Sequence, residues 1–282
     1  SSVMDMYQST SPELLSEMDL LDLEKEKYKH PKYAIKMATG TGKTWVLHAL
    51  LIWQFLNAKT ENESSRRYSK NFLLVAPGLI VYERLLDAFL GKEQVDGTRD
   101  FDKSDFKTFE KLFIPPAYKD IIFGFIQSNV VRKDEIGTKV TGEGLIAITN
   151  WHLLAGEEEK TNDKSPIEDP TAVIKDVLPI TPGKTTGNAL DSLDSQYLRG
   201  REIEYLANLP DLVVFNDEAH HIHEVKRGGE IFEVQWQRSL LQISEPKKDR
   251  FIQIDFSATP YSVTGSGQKR TKHFFPYIVV DF

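Results

Sequence analysis

Short apolar runs recur along the chain and alternate with stretches of helical periodicity. "YAIKMA" (33–38), "NFLLVAP" (71–77), "GLIAIT" (144–149), "DLVVFN" (211–216) and "FIQIDF" (251–256) each read as a strand. Between them, Trp45 to Asn57 is apolar almost all round, which predicts a helix covered on most sides, and "LIVYERLLDAFL" (79–90) predicts a second helix. The opening "SPELLSEMDLLDLEKEK" also reads as a helix: Ser11 can cap it, Pro12 suits its first position, and Leu14, Leu15, Met18 and Leu21 follow helical spacing. Asn188 to Leu206 recovers a helical pattern. Strands apolar on both faces, alternating with helices, predict an α/β fold with a mainly parallel sheet covered on both sides.

Two stretches break this rhythm. Residues 92–142 mix charged helix-like pieces with an "IPP" break and read as an insertion or a small accessory layer. Residues 156–187 are acidic and rich in Pro, Gly and Thr, which predicts a mobile loop. The chain of 282 residues can bury a substantial core as one large domain or two small ones. It has no cysteine, which excludes disulfides and thiolate metal sites and fits a reducing, cytoplasmic setting. No apolar stretch approaches the ~20 residues of a membrane span, and no basic and apolar leader opens the chain, so neither a membrane nor secretion is expected. A net charge of −7 gives no global attraction to polyanions, although a local basic groove can still bind them.

The strongest chemical signal is "MATGTGKT" (37–44), placed where a strand ends and a helix begins. Gly40 and Gly42 allow a tight turn that aims backbone N–H groups at phosphate oxygens. Lys43 can reach the β and γ phosphates, and Thr44 can offer its hydroxyl to Mg2+. The strict pattern wants glycine where this chain has Met37. The second signal is "NDEAHHIH" (216–223), directly after an apolar strand. In an open α/β sheet, ligands bind beyond the carboxyl ends of the strands, so the phosphate loop and this acidic pair are expected at one edge. There Asp217 can hold Mg2+ through its water shell, and Glu218 can orient and deprotonate the attacking water.

Other readings of this cluster compete. Zinc could use His220, His221 and His223 beside Glu218, but the HExxH spacing is missing. A PD…ExK nuclease could use Asp211 with Glu224 and Lys226. Asp211 opens the strand, so a hairpin would have to return Glu224 across ~20 Å, at ~3.3 Å per residue. A merely solvated loop leaves unexplained why the run follows so apolar a strand.

Taken in order, these segments resemble the first RecA-like lobe of a superfamily 2 helicase or translocase. "MATGTGKT" resembles motif I, "VAPGLIVYERL" (75–85) motif Ia, and "ITNWHLL" (148–154) the next nucleic-acid-facing motif. "DEAH" (217–220) resembles motif II and "SATP" (257–260) motif III. Within that superfamily, "FNDEAHH", "DFSATPY" and the closing "HFFPYIVVDF" are most similar to the Res subunits of type III restriction enzymes and related restriction-type helicases.

The resemblance implies a RecA-like three-layer fold spanning residues 1–282, in which Gly40, Thr41, Gly42, Lys43 and Thr44 cradle ATP. It further implies that Asp217 handles Mg2+, Glu218 the water, and His220, Ser257 and Thr259 the coupling of the γ-phosphate to lobe movement. Pro77, Gly78, Arg84, Thr149, Asn150 and Trp151 would face the strand being tracked, since phosphate contacts position a protein without reading sequence. Trp151 as a core aromatic and Arg84 as a solvated charge are the plain alternatives. The implied partners are DNA and a methyltransferase (modification) subunit. An adenine-reading glutamine is expected before motif I, and Gln8 is the one glutamine available there. The second lobe with its arginine finger, and the nuclease domain of a Res subunit, have no counterpart in these residues. The expectation for the isolated chain is nucleotide binding with very slow hydrolysis.

Overall fold

The computed structural model describes residues 30–38, 40–60, 67–150, 201–217, 219, 224–227, 230–233, 235–258, 261–264, 271–274 and 278–281. The predicted opening helix, the 156–187 segment and most of the 188–206 helix lie outside the described residues. In chain order the main elements are β1 (Lys32–Lys36), α1 (Lys43–Thr60), β2 (Asn71–Ala76), α2 (Leu79–Leu90), α3 (Lys119–Asn129), β3 (Val130–Val131) and β4 (Leu145–Asn150). A helix over 201–208, α4, then leads to β5 (Leu212–Asn216). After it come β6 (Glu224–Arg227), β7 (Glu230–Glu233), α5 (Gln235–Ser244), β8 (Phe251–Ser257), β9 (Tyr261–Thr264), β10 (Thr271–Phe274) and β11 (Ile278–Asp281).

Seven strands form one sheet in the order β11-β1-β8-β5-β2-β4-β3, and every neighbouring pair is parallel. This is the predicted α/β architecture. β6–β7 and β9–β10 are separate antiparallel hairpins. Because consecutive residues of a strand face opposite sides, each strand supplies two cores. Ile35, Phe72, Leu74, Val213, Phe215, Ile146 and Phe256 pack with Leu47, Leu51 and Phe55 of α1, Leu85 and Phe89 of α2, and Ile122 and Ile126 of α3. On the other face Leu73, Val75, Val214, Ala147 and Phe251 pack with Leu206 of α4 and Leu240 and Ile243 of α5. The sheet is therefore covered on both sides, as its apolar strands require.

The segment 92–142 packs into the first of these cores rather than beside it. Phe106, Ile114, Phe123 and Phe125 are buried there, Phe125 stacking on Phe55 at 3.8 Å, and Val130–Val131 adds the edge strand beside β4. Arg99 anchors its start, donating to Asp87 and Glu83 of α2, to Glu93 and to the Gly91 carbonyl. α1 is less enclosed than its composition implies. Trp53 is half exposed, its ring meeting that of Tyr68 edge-on at 5.2 Å.

Candidate nucleotide site at the carboxyl ends of the strands

A parallel sheet brings all its strand carboxyl ends to one edge, and the sequence motifs sit there together. β1 extends its pairing one residue past its end, the Met37 N–H donating to the Ser257 carbonyl at 3.2 Å. The chain then turns through Gly40 (φ +79°) and Gly42 (φ +98°). A side chain at Gly40 would meet nothing within 4 Å, so the left-handed backbone, and not space, calls for glycine there. Thr41 closes the turn, donating from its hydroxyl to the Ala38 carbonyl at 2.7 Å. The Trp45 and Val46 N–H groups then bond to the Gly42 carbonyl and start α1.

The first turn of a helix carries N–H groups without intrahelical acceptors and the positive end of the helix dipole, a combination suited to phosphate. Alternating backbone hand next to it makes the same kind of anion-binding concavity. Lys43, the first residue of α1, is buried, and Thr44 beside it is half-buried.

β5 and β2 end at the same edge. The Asp217 N–H donates to the Val75 carbonyl at 2.9 Å, carrying the β2–β5 pairing past Asn216 and holding the half-buried Asp217 at the strand end. Ser257 closes β8 and is fully buried. After β2, Pro77 and Gly78 are partly exposed, and Gly78 caps α2 through its carbonyl, which accepts from Tyr82 N–H at 3.0 Å. Arg84 is exposed on α2 and acts on Asp105, whose carboxyl is pushed up by burial, drawn down by Arg84 and raised by Asp87. Thr149 and Asn150 end β4 and are both buried. Trp151, Glu218, His220, Thr259 and Gln8 lie outside the described residues, as do His221 and His223.

A row of buried polar groups, which the strand patterns did not single out, lies on the α4–α5 face under this edge. Asn216 Nδ2 donates to Asp255 Oδ1 at 2.6 Å, and Gln253 Nε2 donates to the same carboxylate at 2.9 and 3.2 Å. His30 Nε2 donates to Gln253 Oε1 at 3.1 Å while its ring meets Phe251 edge-on. Burial chiefly, with the nearby Lys32 charge, depresses the His30 pKa to about 4, against the opposing pull of Gln253 and Asp255. The sequence did hold a signal: in "FIQIDF" the polar residues Gln253 and Asp255 alternate with Ile252, Ile254 and Phe256. That is period-two patterning inside a run otherwise read as apolar on both faces.

Asp211, the residue a nuclease would need, sits just before β5 at its amino end. Its carboxylate accepts from the Ser69 hydroxyl and, at 3.0 Å, from Asn71 Nδ2. It ties β2 to β5 at the edge opposite the glycine loop.

Parallel sheet, glycine loop, helix start and strand-end aspartate are the features that nucleotide-binding α/β domains use. The family model for the type III restriction enzyme res subunit matches residues 5–262. The chain belongs to that family, and its sheet is the RecA-like domain of a superfamily 2 helicase. No curated protein and no solved structure gives a significant match. Among the described residues, no helix is long and apolar enough to cross a membrane.

Proposed function

We propose that this chain is the ATP-binding lobe of an ATP-dependent DNA translocase of the restriction type, acting in the cytoplasm with a modification subunit. The observation that carries the reading is the left-handed Gly40–Gly42 turn leading into α1, on the same sheet edge as the Asp217 strand end in a chain of the Res family. The residues present suit ATP and Mg2+. Gly40, Thr41, Gly42, Lys43 and Thr44 would hold the phosphates, with Lys43 supplying the compensating charge. Thr44 and Asp217 would hold Mg2+, which would neutralise phosphate charge during phosphoryl transfer when bound. Glu218 would orient the attacking water and accept its proton. Little beyond positioning and charge stabilisation is required for phosphoryl transfer, so this small set is sufficient.

Ser257, Thr259 and His220 are assigned to coupling, because Ser257 ends the strand bonded to the residue that opens the glycine loop. Pro77 and Gly78, partly exposed after β2, and Arg84, exposed on α2, are assigned to the tracked strand. Thr149 and Asn150, which end β4, are assigned to the tracked strand together with Trp151.

Replacing Glu218 with glutamine tests the assignment. E218Q is expected to keep Mg-ATP affinity while single-turnover hydrolysis falls about 10²-fold or more, the usual scale for a lost general base. In the intact protein duplex DNA, and not RNA, is expected to raise the parent rate. Unchanged hydrolysis in E218Q would remove the proposed chemistry, and stimulation by RNA alone would reassign the substrate.

A further inference from the structure

The polar row beneath the site has a role of its own. Asn216 and Asp255 are directly paired across β5 and β8, both are essentially inaccessible to solvent, and their side chains are bonded at 2.6 Å. Further across the same face Val75, Leu73, Val214 and Ala147 are apolar, and Thr149, paired with Val75, is again a buried polar residue. Burying a carboxylate and an amide is costly even when they are paired, and an apolar pair of similar volume often serves stability as well or better. A buried polar row that runs on through Gln253 to His30 and Lys32 calls, where it reaches the edge, for an explanation other than stability. Its position supplies one. Asn216 is followed at once by Asp217, and Asp255 is two residues from Ser257 on the same face of β8.

We infer that Asn216 and Asp255 are positioning residues for ATP hydrolysis, their hydrogen bond fixing the ends of β5 and β8 so that Asp217 and Ser257 meet the nucleotide in one arrangement. Gln253 orients the Asp255 carboxylate from below, and the main-chain bonds from Asp217 to Val75 and from Met37 to Ser257 carry the same constraint outward to β2 and β1. The four strands bearing the motif residues therefore end as one unit. A misplacement of about 1 Å at a reacting centre can cost 10²-fold in rate, whereas binding through the glycine loop does not depend on this bond.

The inference rests on the ATPase reading and is tested by exchanging the two partners. N216D faces two carboxylates across the former hydrogen bond. The double variant N216D/D255N restores it with donor and acceptor reversed. Single-turnover hydrolysis in N216D is expected to fall at least about tenfold with Mg-ATP affinity within about threefold of the parent, and the exchange variant to recover most of the rate. N216A, which removes the donor without adding charge, should show the same split between rate and affinity if N216D does not fold. Circular dichroism and melting curves confirm that the compared proteins are folded. A parent-like rate in folded N216D or N216A, or a rate loss that the exchange leaves unrepaired, would overturn the inference while leaving the ATPase assignment intact. Absence of Lys43-dependent hydrolysis in the parent would overturn both.

Discussion

His48 is the residue most at odds with its surroundings. It lies on α1, wholly buried, its ring packed against Phe106 at 4.5 Å and Phe89 at 5.1 Å with Trp45 and Phe113 beyond. Neither ring nitrogen has a hydrogen-bond partner among the described residues, and burial depresses its pKa to about 3. It behaves as a core aromatic that must stay neutral, and His30, held at about 4, is a second case. Above pH 6.5 neither folded nor unfolded chain protonates these rings, so they leave stability unchanged. As pH falls from 6.5 the unfolded chain takes up protons that the folded chain refuses, and stability drops until about pH 4 for His30 and about pH 3 for His48. Each ring should remove about 2 kcal/mol between pH 7 and pH 5. Urea denaturation at those two pH values checks this: H48L is expected to lose about half as much stability as the parent. An equally steep loss in H48L would contradict the assignment. The sequence displayed both histidines but not their burial, because a histidine beside apolar residues looks the same whether its ring faces the core or the solvent.

At the scale of elements, the strand ends divide the labour between chemistry and stability. The carboxyl edge carries the site; the amino edge carries ties such as Asp211, which fastens β5 to Ser69 and to Asn71 of β2. Hydrogen bonds to a charged acceptor are worth roughly 1.5–3 kcal/mol each. Asp211 is only partly buried, so D211A is expected to cost about 2 kcal/mol and lower the melting temperature by several degrees. Mg-ATP affinity in D211A should match the parent. Loss of a Mg2+-dependent DNA cleavage in this variant would instead revive the nuclease reading.

Local pattern made some elements legible and left others obscure. α2 runs from Leu79 to Leu90 as its periodicity indicates, because Gly78 and Gly91 punctuate both ends. α1 begins two residues before the apolar run, at Lys43, since the glycine turn and not hydrophobicity sets its start. β3 has only two residues, too few for any alternation to register. β11, "IVVD", lies within the family-like ending, and its place beside β1 follows from pairing that no local pattern encodes.

For the whole molecule, the parallel sheet was readable from its strands, but the order β11-β1-β8-β5-β2-β4-β3 was not. Apolarity reports that a strand is buried and is silent about which strand lies beside it. The order matters to function, because it sets β8 between β1 and β5 and so places Ser257 between the glycine loop and Asp217. Motif sequence alone made Gly40, Gly42, Lys43, Thr44 and Asp217 legible. Asn216 joined Gln253 and Asp255 in one network only once β5 and β8, distant in sequence, were laid side by side. The account stands on nucleotide binding by the Lys43 loop, and the most direct measurement is Mg-ATP affinity and turnover of K43A beside the parent chain. The account predicts that the parent binds Mg-ATP and that K43A loses binding or hydrolysis by at least about tenfold. Equal affinity and equal turnover in the two proteins would contradict it.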